Sequence, residues 1–106
     1  MLGKIKENPL NILLVDNPTE EMQLEAIKQN KNIIKFIKNL TGKTLKKVID
    51  MDPSNIKYIE NPNEEIQLFA VKKDPWAIKY IEKPFKQVQL NAIEQTDEVF
   101  PYINNP

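Results

Sequence analysis

Apolar residues recur along the chain with a period of 22 residues, and within each period they fall at helical spacing. A small apolar residue directly precedes Ile or Val at residues 26–27, 48–49, 70–71 and 92–93. The same period separates the marker pairs Asn17-Pro18, Asn39-Leu40, Asn61-Pro62, Lys83-Pro84 and Asn105-Pro106. The chain therefore divides into a half repeat, 1–16, and four whole repeats, 17–38, 39–60, 61–82 and 83–104.

Each repeat is predicted to form two short helices. In the first, of about ten residues, Asn17 supplies an N-cap and Pro18 the first helical position. A second cap-and-proline pair, as at Asp52-Pro53, begins a shorter helix of about seven residues that we expect to be partly 3₁₀. Helices this short are marginal alone in water, so each repeat must stack on its neighbours. The predicted fold is all-α: one domain, 1–106, forming a short right-handed α-solenoid of about four and a half two-helix repeats.

Two repeats depart from this pattern. In repeat two, Thr41 is expected to take over the cap while Gly42 weakens the first turn, so this repeat should contain the softest internal joint. In the last repeat Pro101 falls inside the second helix, which we expect it to shorten or kink.

The amino-acid composition lacks most of the side chains that enzymes commonly use for catalysis. The chain has 15 lysines, 15 acidic residues, no arginine, no histidine and no cysteine, with a net charge of zero. A thiol nucleophile, an imidazole base, a disulfide and the usual zinc ligands are therefore missing. The carboxylates fall at caps and outer faces, where the raised pKa of a general acid is not expected. We predict a protein that is not an enzyme, that needs no metal or cofactor, and that is cytoplasmic because neither a membrane span nor a signal peptide is apparent.

Three glutamines share one position of the repeat, three and four residues before the core-facing Ala and Ile pair: Gln23, Gln67 and Gln89. Leu45 fills this position in repeat two, which indicates that the side chains point inward. They either line a polar ligand pocket or serve a structural role. The structural role is favoured, because a buried amide needs hydrogen-bond partners and the turns between helices supply them.

Aromatic residues form a second ladder, Phe36, Tyr58, Tyr80 and Tyr102. These rings either stack nucleic-acid bases or pack between successive repeats, and we favour packing, with Tyr58 and Tyr80 structural. Phe69, Trp76 and Phe85 instead occupy positions that are polar in most other repeats. They are predicted either to anchor a partner protein as a hot spot or to cover a gap near the carboxy-terminal end.

Basic residues are concentrated between Ala26 and Ile49, a stretch without any acidic residue that contains Lys28, Lys31, Lys35, Lys38, Lys43, Lys46 and Lys47. Such a face can steer an acidic protein surface or bind phosphates. The absence of arginine argues against nucleic acid, since arginine makes the bidentate phosphate and guanine contacts.

The segment Ile59–Pro75, IENPNEEIQLFAVKKDP, resembles the short Asn-Pro…Gln-Leu-x-Ala-Val helical repeats of uncharacterised bacterial and phage proteins. It is similar, more loosely, to the variant leucine-rich repeats, which stack alternating α and 3₁₀ helices. The resemblance implies an architecture, but no activity and no functional residue.

The functional hypothesis is a non-catalytic protein-binding module with Phe69, Trp76 and Phe85 as anchors and the lysines as steering charges. A narrower version is a phage-encoded inhibitor that occludes a host defence or nuclease protein, as anti-CRISPR proteins do. The alternatives are a nucleic-acid binder using the Lys28–Lys47 face, and a scaffold that is a monomer or stacks end to end as a homodimer.

Overall fold

The computed structural model describes residues 1–104, and all of its regular elements are helices. This confirms the predicted all-α class. The α-helices are α1 Leu2–Glu7, α2 Glu20–Gln29, α3 Gly42–Met51, α4 Glu64–Lys73 and α5 Lys86–Gln95. The 3₁₀ helices are η1 Pro9–Leu14, η2 Lys31–Phe36, η3 Pro53–Tyr58, η4 Pro75–Tyr80 and η5 Asp97–Tyr102. The last marker pair, Asn105-Pro106, lies outside the described residues.

Each α-helix is followed after one residue by a 3₁₀ helix, so the chain folds as successive helix pairs. The second helix is 3₁₀ over its whole six-residue length, which is more than the partial 3₁₀ character expected. Its cap forms as predicted: the side chains of Asn8, Asp52 and Asp74 each accept a hydrogen bond from the backbone N–H two residues on, with proline at the first helical position.

The start of the longer helix differs from the prediction. Its N-cap is not Asn17 or Asn61 but the residue two positions later, Thr19 or Asn63, whose side chain accepts from the third helical N–H. Asn61 and its equivalent Asn39 instead have φ values of 48° and 64°, in the left-handed region that asparagine tolerates. In these two repeats the asparagine turns the chain ahead of the helix. Thr41 caps α3, as expected for repeat two.

Pro101 does not shorten its helix. Helix η5 has the same six residues as the other 3₁₀ helices, and the Ile103 N–H still bonds to the Phe100 carbonyl at its end. A 3₁₀ helix tolerates this proline because the lost N–H removes only one hydrogen bond of a short element.

The described chain is elongated, with extents of 46 × 19 × 18 Å, and its core forms two clusters. The amino-terminal cluster runs from Ile5 to Val48, and the carboxy-terminal cluster runs from Ile49 to Val99. The boundary between them lies inside α3, the first helix of repeat two. No helix in residues 1–104 is long and apolar enough to cross a membrane.

Candidate functional site

Several of the lysines singled out from the sequence are paired with acidic residues of neighbouring helix pairs. Lys47 bonds to Glu20, Lys46 contacts Glu65 at 2.6 Å, and Lys31 lies 3.8 Å from Asp52. The hydrogen bond from Lys47 lowers the pKa of Glu20, and that from Lys46 lowers the pKa of Glu65. The backbone and hydroxyl bonds of Ser54 lower the pKa of Asp52.

The uniform basic face expected from residues 26–49 is therefore broken. Residues 26–49 contain no acidic residue. Stacking of the helix pairs nevertheless places the carboxylates of Glu20, Asp52 and Glu65 beside lysines of this stretch. Within residues 1–104, the lysines of the stretch that form no ion pair are Lys28, Lys35, Lys38 and Lys43, and these side chains are exposed.

Two of the three anomalous aromatics are half-buried against the carboxy-terminal cluster. Phe69 lies between two ammonium groups, with Lys46 Nζ 5.6 Å and Lys73 Nζ 5.3 Å from its ring centroid. Trp76 packs edge to face on Tyr102, with the centroids 5.3 Å apart. Phe69 and Trp76 therefore each have aromatic or cationic neighbours within the chain, and both pack on the carboxy-terminal cluster.

Phe85 is different, because 47% of its surface is exposed and it lines a groove on the 3₁₀ side of the molecule. This tyrosine groove has a volume of about 780 Å³. Its aromatic walls are Tyr58, Tyr80 and Phe85, its charged residues are Lys35, Lys57, Lys83, Glu60 and Glu82, and the turn 61–63 and Gln67 also line it.

Lysine and aromatic rings alternate along the tyrosine groove. Lys57 Nζ lies 5.3 Å from the ring centroid of Tyr58 and 5.2 Å from that of Tyr80, so it sits between the rings of successive helix pairs. Lys79 repeats the contact with Tyr80 at 5.2 Å. These cation–π contacts hold the rings in place while leaving Tyr80 36% exposed. The expected packing of the ladder between repeats is therefore incomplete: Phe36 and Tyr102 are more than half exposed.

Of the three glutamines that share one position of the repeat, Gln67 lines the groove. Gln67 is 2% exposed; its Nε2 donates to the Pro62 carbonyl at 3.0 Å and its Oε1 accepts from the Phe85 N–H at 3.0 Å. These are the turn contacts expected of a structural amide, and they tie two successive turns together. Gln89 is half-buried and donates to the Pro84 carbonyl, whereas Gln23 is buried without a hydrogen bond of this kind among the described residues.

Sequence reasoning missed the groove, because Lys57 was not among the candidate site residues. The sequence feature that could have indicated the groove is a lysine directly before an aromatic residue, which recurs every 22 residues at 35–36, 57–58 and 79–80. It also missed Asn55, which is fully buried in η3. Its Nδ2 donates to the Val48 carbonyl at 2.8 Å, and its Oδ1 has no partner among residues 1–104.

Among residues 1–104, no group of three or more acidic side chains is arranged to hold a metal ion. Comparison of the chain with protein-family models, curated proteins and solved structures found no match.

Proposed function

We propose that the chain is a right-handed α-solenoid of about four and a half repeats that acts as a non-catalytic, cytoplasmic protein-binding module. The regular 22-residue spacing of α2 to α5 and the elongated shape support the repeat architecture. Solenoids of this kind commonly bind partners along an extended surface, because each repeat contributes the same positions to one face.

The observation that carries the binding role is the tyrosine groove. A concave surface with partly exposed aromatic rings is the kind of site that takes partner side chains. Here Lys57 contacts the rings of Tyr58 and Tyr80, and Gln67 accepts a hydrogen bond from the backbone N–H of Phe85, before any partner arrives. Preorganisation of this kind reduces the entropy lost on binding.

The charges of the groove favour a polypeptide over nucleic acid. Glu60 and Glu82 line it together with Lys35, Lys57 and Lys83. Carboxylates of this kind repel a phosphate backbone, whereas an extended polypeptide can present both signs of charge and backbone amides. Single-stranded nucleic acid is the second candidate, because the Lys57–Tyr58 and Lys79–Tyr80 contacts alternate cation and ring as base-stacking platforms do.

The test compares capture of proteins from the natural host by wild type and by a Tyr80→Ser/Phe85→Ser variant. We expect the variant to lose the partners that wild type retains. The matched control is Phe36→Ser, which removes a ring that is 57% exposed but lies outside the groove. Equal recovery by all three proteins would contradict the proposal.

A labelled oligothymidylate separates the second candidate. Binding that depends on Tyr80 and falls by orders of magnitude between about 50 and 200 mM salt would identify a nucleic-acid binder. The narrower hypothesis of a phage inhibitor of a host defence protein, and the likeness to bacterial and phage repeats, remain predictions. They would be supported if a captured partner were a defence nuclease whose activity falls when the protein is added.

A further inference from the structure

The tyrosine groove crosses three successive helix pairs. Among its lining residues, Lys35 belongs to η2, Tyr58 to η3 and Tyr80 to η4. These 3₁₀ helices contact one another in chain order, η2 with η3 and η3 with η4. An occupant that follows the groove therefore meets equivalent positions once in each helix pair.

The distance between equivalent rings sets the repeat that such an occupant needs. Lys57 Nζ lies 5.3 Å from the ring centroid of Tyr58 and 5.2 Å from that of Tyr80. The two centroids are therefore at most about 10.5 Å apart, close to the spacing of roughly 8–10 Å that packed helices have. A ligand that contacts both rings in the same way must repeat over a similar distance.

The polyproline II helix has this repeat. It has three residues per turn, so residues i and i+3 lie on one side and about 9 Å apart. In a β-strand, residues three apart point to opposite sides, and residues on one side are ~7 or ~13 Å apart. An α-helix returns to one side after seven residues, but it is ~10–12 Å wide and docks in apolar grooves. Most residues that line the tyrosine groove are polar.

The groove also carries the hydrogen-bond donors that a polyproline II ligand needs. Such a helix has no internal hydrogen bonds, so its carbonyl groups stay open to donors from the binding protein. The hydroxyl groups of Tyr58 and Tyr80 and the side-chain amides of Asn32 and Asn61 belong to residues that line the groove. Grooves with aromatic walls are the sites at which proline-rich segments commonly bind.

The charges of the groove favour a basic ligand. Glu60 and Glu82 occupy equivalent positions, are exposed, and form no ion pair within residues 1–104. Lys35 and Lys57 each lie over an aromatic ring, whereas Lys83 has no ion pair and no ring contact in this part of the chain. Two carboxylates are thus open to a partner against one ammonium, which favours lysine or arginine on the ligand.

We propose that the tyrosine groove binds a proline-rich segment of a partner protein in the polyproline II conformation. A proline at every third residue packs on the rings of Tyr58 and Tyr80, and a basic residue of each turn faces Glu60 and Glu82. The proline rings hold this conformation before binding, so little conformational entropy is lost. This inference rests on the proposed binding role of the groove and adds the class of partner.

The probe is a fluorescein-labelled peptide in which Pro-Pro-Lys is repeated four times, and its control repeats Ala-Ala-Lys four times. The two peptides have the same length and charge, but only the first holds the polyproline II conformation. Binding to the full chain is measured by fluorescence anisotropy at about 150 mM salt, where surface charges are screened beyond ~8 Å. We expect saturable binding of the proline peptide and at least about tenfold weaker binding of the alanine peptide. Equal binding of the two would show charge attraction alone and would overturn the proposal.

Variants of the protein locate the binding surface. Tyr80→Ser/Phe85→Ser should weaken binding of the proline peptide about tenfold or more, whereas Phe36→Ser should change it by less than about twofold. Glu60→Gln/Glu82→Gln alters two exposed side chains and should keep the melting temperature. It should weaken binding several-fold and make it less sensitive to salt. If the aromatic variant unfolds, the glutamine variant decides, and peptide binding that the glutamine variant leaves unchanged would contradict the proposal.

Competition separates this inference from the proposed function. An excess of the Pro-Pro-Lys peptide should displace the host proteins that are captured through Tyr80 and Phe85, and the Ala-Ala-Lys peptide should not. If capture depends on these rings but the proline peptide does not compete, the groove binds a polypeptide of another conformation and only this inference fails. If Tyr80→Ser/Phe85→Ser leaves capture unchanged, the proposed function fails as well.

Discussion

Two regions of this molecule, the contacts of α3 with α2 and α4 and the contact of α4 with α5, connect successive α-helices through different chemistry. Around α3, successive α-helices are connected by exposed ion pairs, Glu20 with Lys47, Glu65 with Lys46 and Asp50 with Lys73. Between α4 and α5 the connections are uncharged: Gln67 bridges two turns, and Gln95 donates to the Val71 carbonyl at 2.9 Å. We call these the ion-pair joint and the amide joint.

The difference shows that stacking does not require one set of polar contacts. Exposed ion pairs contribute little each, commonly below ~1 kcal/mol, and they weaken with salt and acid. Buried amide bonds are costly to break, because the remaining partner is left without a hydrogen bond. The ion-pair joint is also where the two core clusters meet, so we expect local opening at α3 before α5.

The largest effect is expected at Asn55, which lies beside α3 but is fully buried. Asn55→Asp places a carboxylate at this buried position and removes the donor to the Val48 carbonyl. We expect a loss of about 3–5 kcal/mol in the free energy of unfolding at pH 7, measured by urea denaturation, as for an uncompensated buried charge. The loss should shrink at low pH as the new carboxylate is protonated.

Asn11→Asp is the matched control. Asn11 occupies the same position of the first helix pair and makes the same bond, to the Lys4 carbonyl at 2.8 Å, but it is half-buried at the end of the molecule. Its substitution should cost much less. Equal losses of unfolding free energy in Asn55→Asp and Asn11→Asp would show that water reaches Asn55 inside the ion-pair joint. This result would contradict the view that the exposed ion pairs of this joint lie over a dry core.

An intermediate effect is expected at the amide joint. Gln67→Ala removes the acceptor of the Phe85 N–H and the donor to Pro62, so we expect a loss of about 1–3 kcal/mol, unchanged by salt. Gln89→Ala, which removes one bond of a half-buried amide, should cost less. The measurement is thermal and urea unfolding in low and high salt. A loss at Gln67 that disappears in high salt would contradict the uncharged character of this joint.

The smallest effect is the acid response of the ion-pair joint. Bonds from Lys47 and Lys46 lower the pKa values of Glu20 and Glu65 below their usual 4.5 in the folded state. The unfolded chain therefore takes up protons first as the pH falls, so this stabilisation is complete above pH 4.5 and is lost progressively below it.

The variant Glu20→Gln/Glu65→Gln should unfold with a shallower pH dependence between neutral and acid conditions, whereas Gln67→Ala should keep the wild-type slope. If wild type and Glu20→Gln/Glu65→Gln showed the same dependence of unfolding free energy on pH, the two ion pairs would not stabilise this joint.

Much of this architecture could be predicted because it is local. At Asn8, Asp52 and Asp74 the cap of the 3₁₀ helix joins residues only two positions apart, so a pattern of three residues is enough to predict it. The caps of α2 and α4 were misplaced by two residues, because Asn-Pro suits both a helix start and a turn. At Asn61 the positive φ shows that the pair forms the turn.

The candidate site was less predictable. Phe85 was among the candidate anchors, but Tyr80 was assigned to packing and Lys57 was not singled out. Their juxtaposition depends on the distance and rotation between successive helix pairs, and a sequence period does not specify these quantities.

By itself, the sequence determined the helical class, the 22-residue period and the inward position of Ile, Ala and Gln67, because helical spacing and capping act over a few residues. Only the tertiary structure decided which charges meet. Lys46 and Lys47 lie in a stretch without acids, yet they pair with residues 19 and 27 positions away. Stacking brings distant positions to within a few ångströms, so the basic block of the sequence becomes a mixed surface in the folded protein.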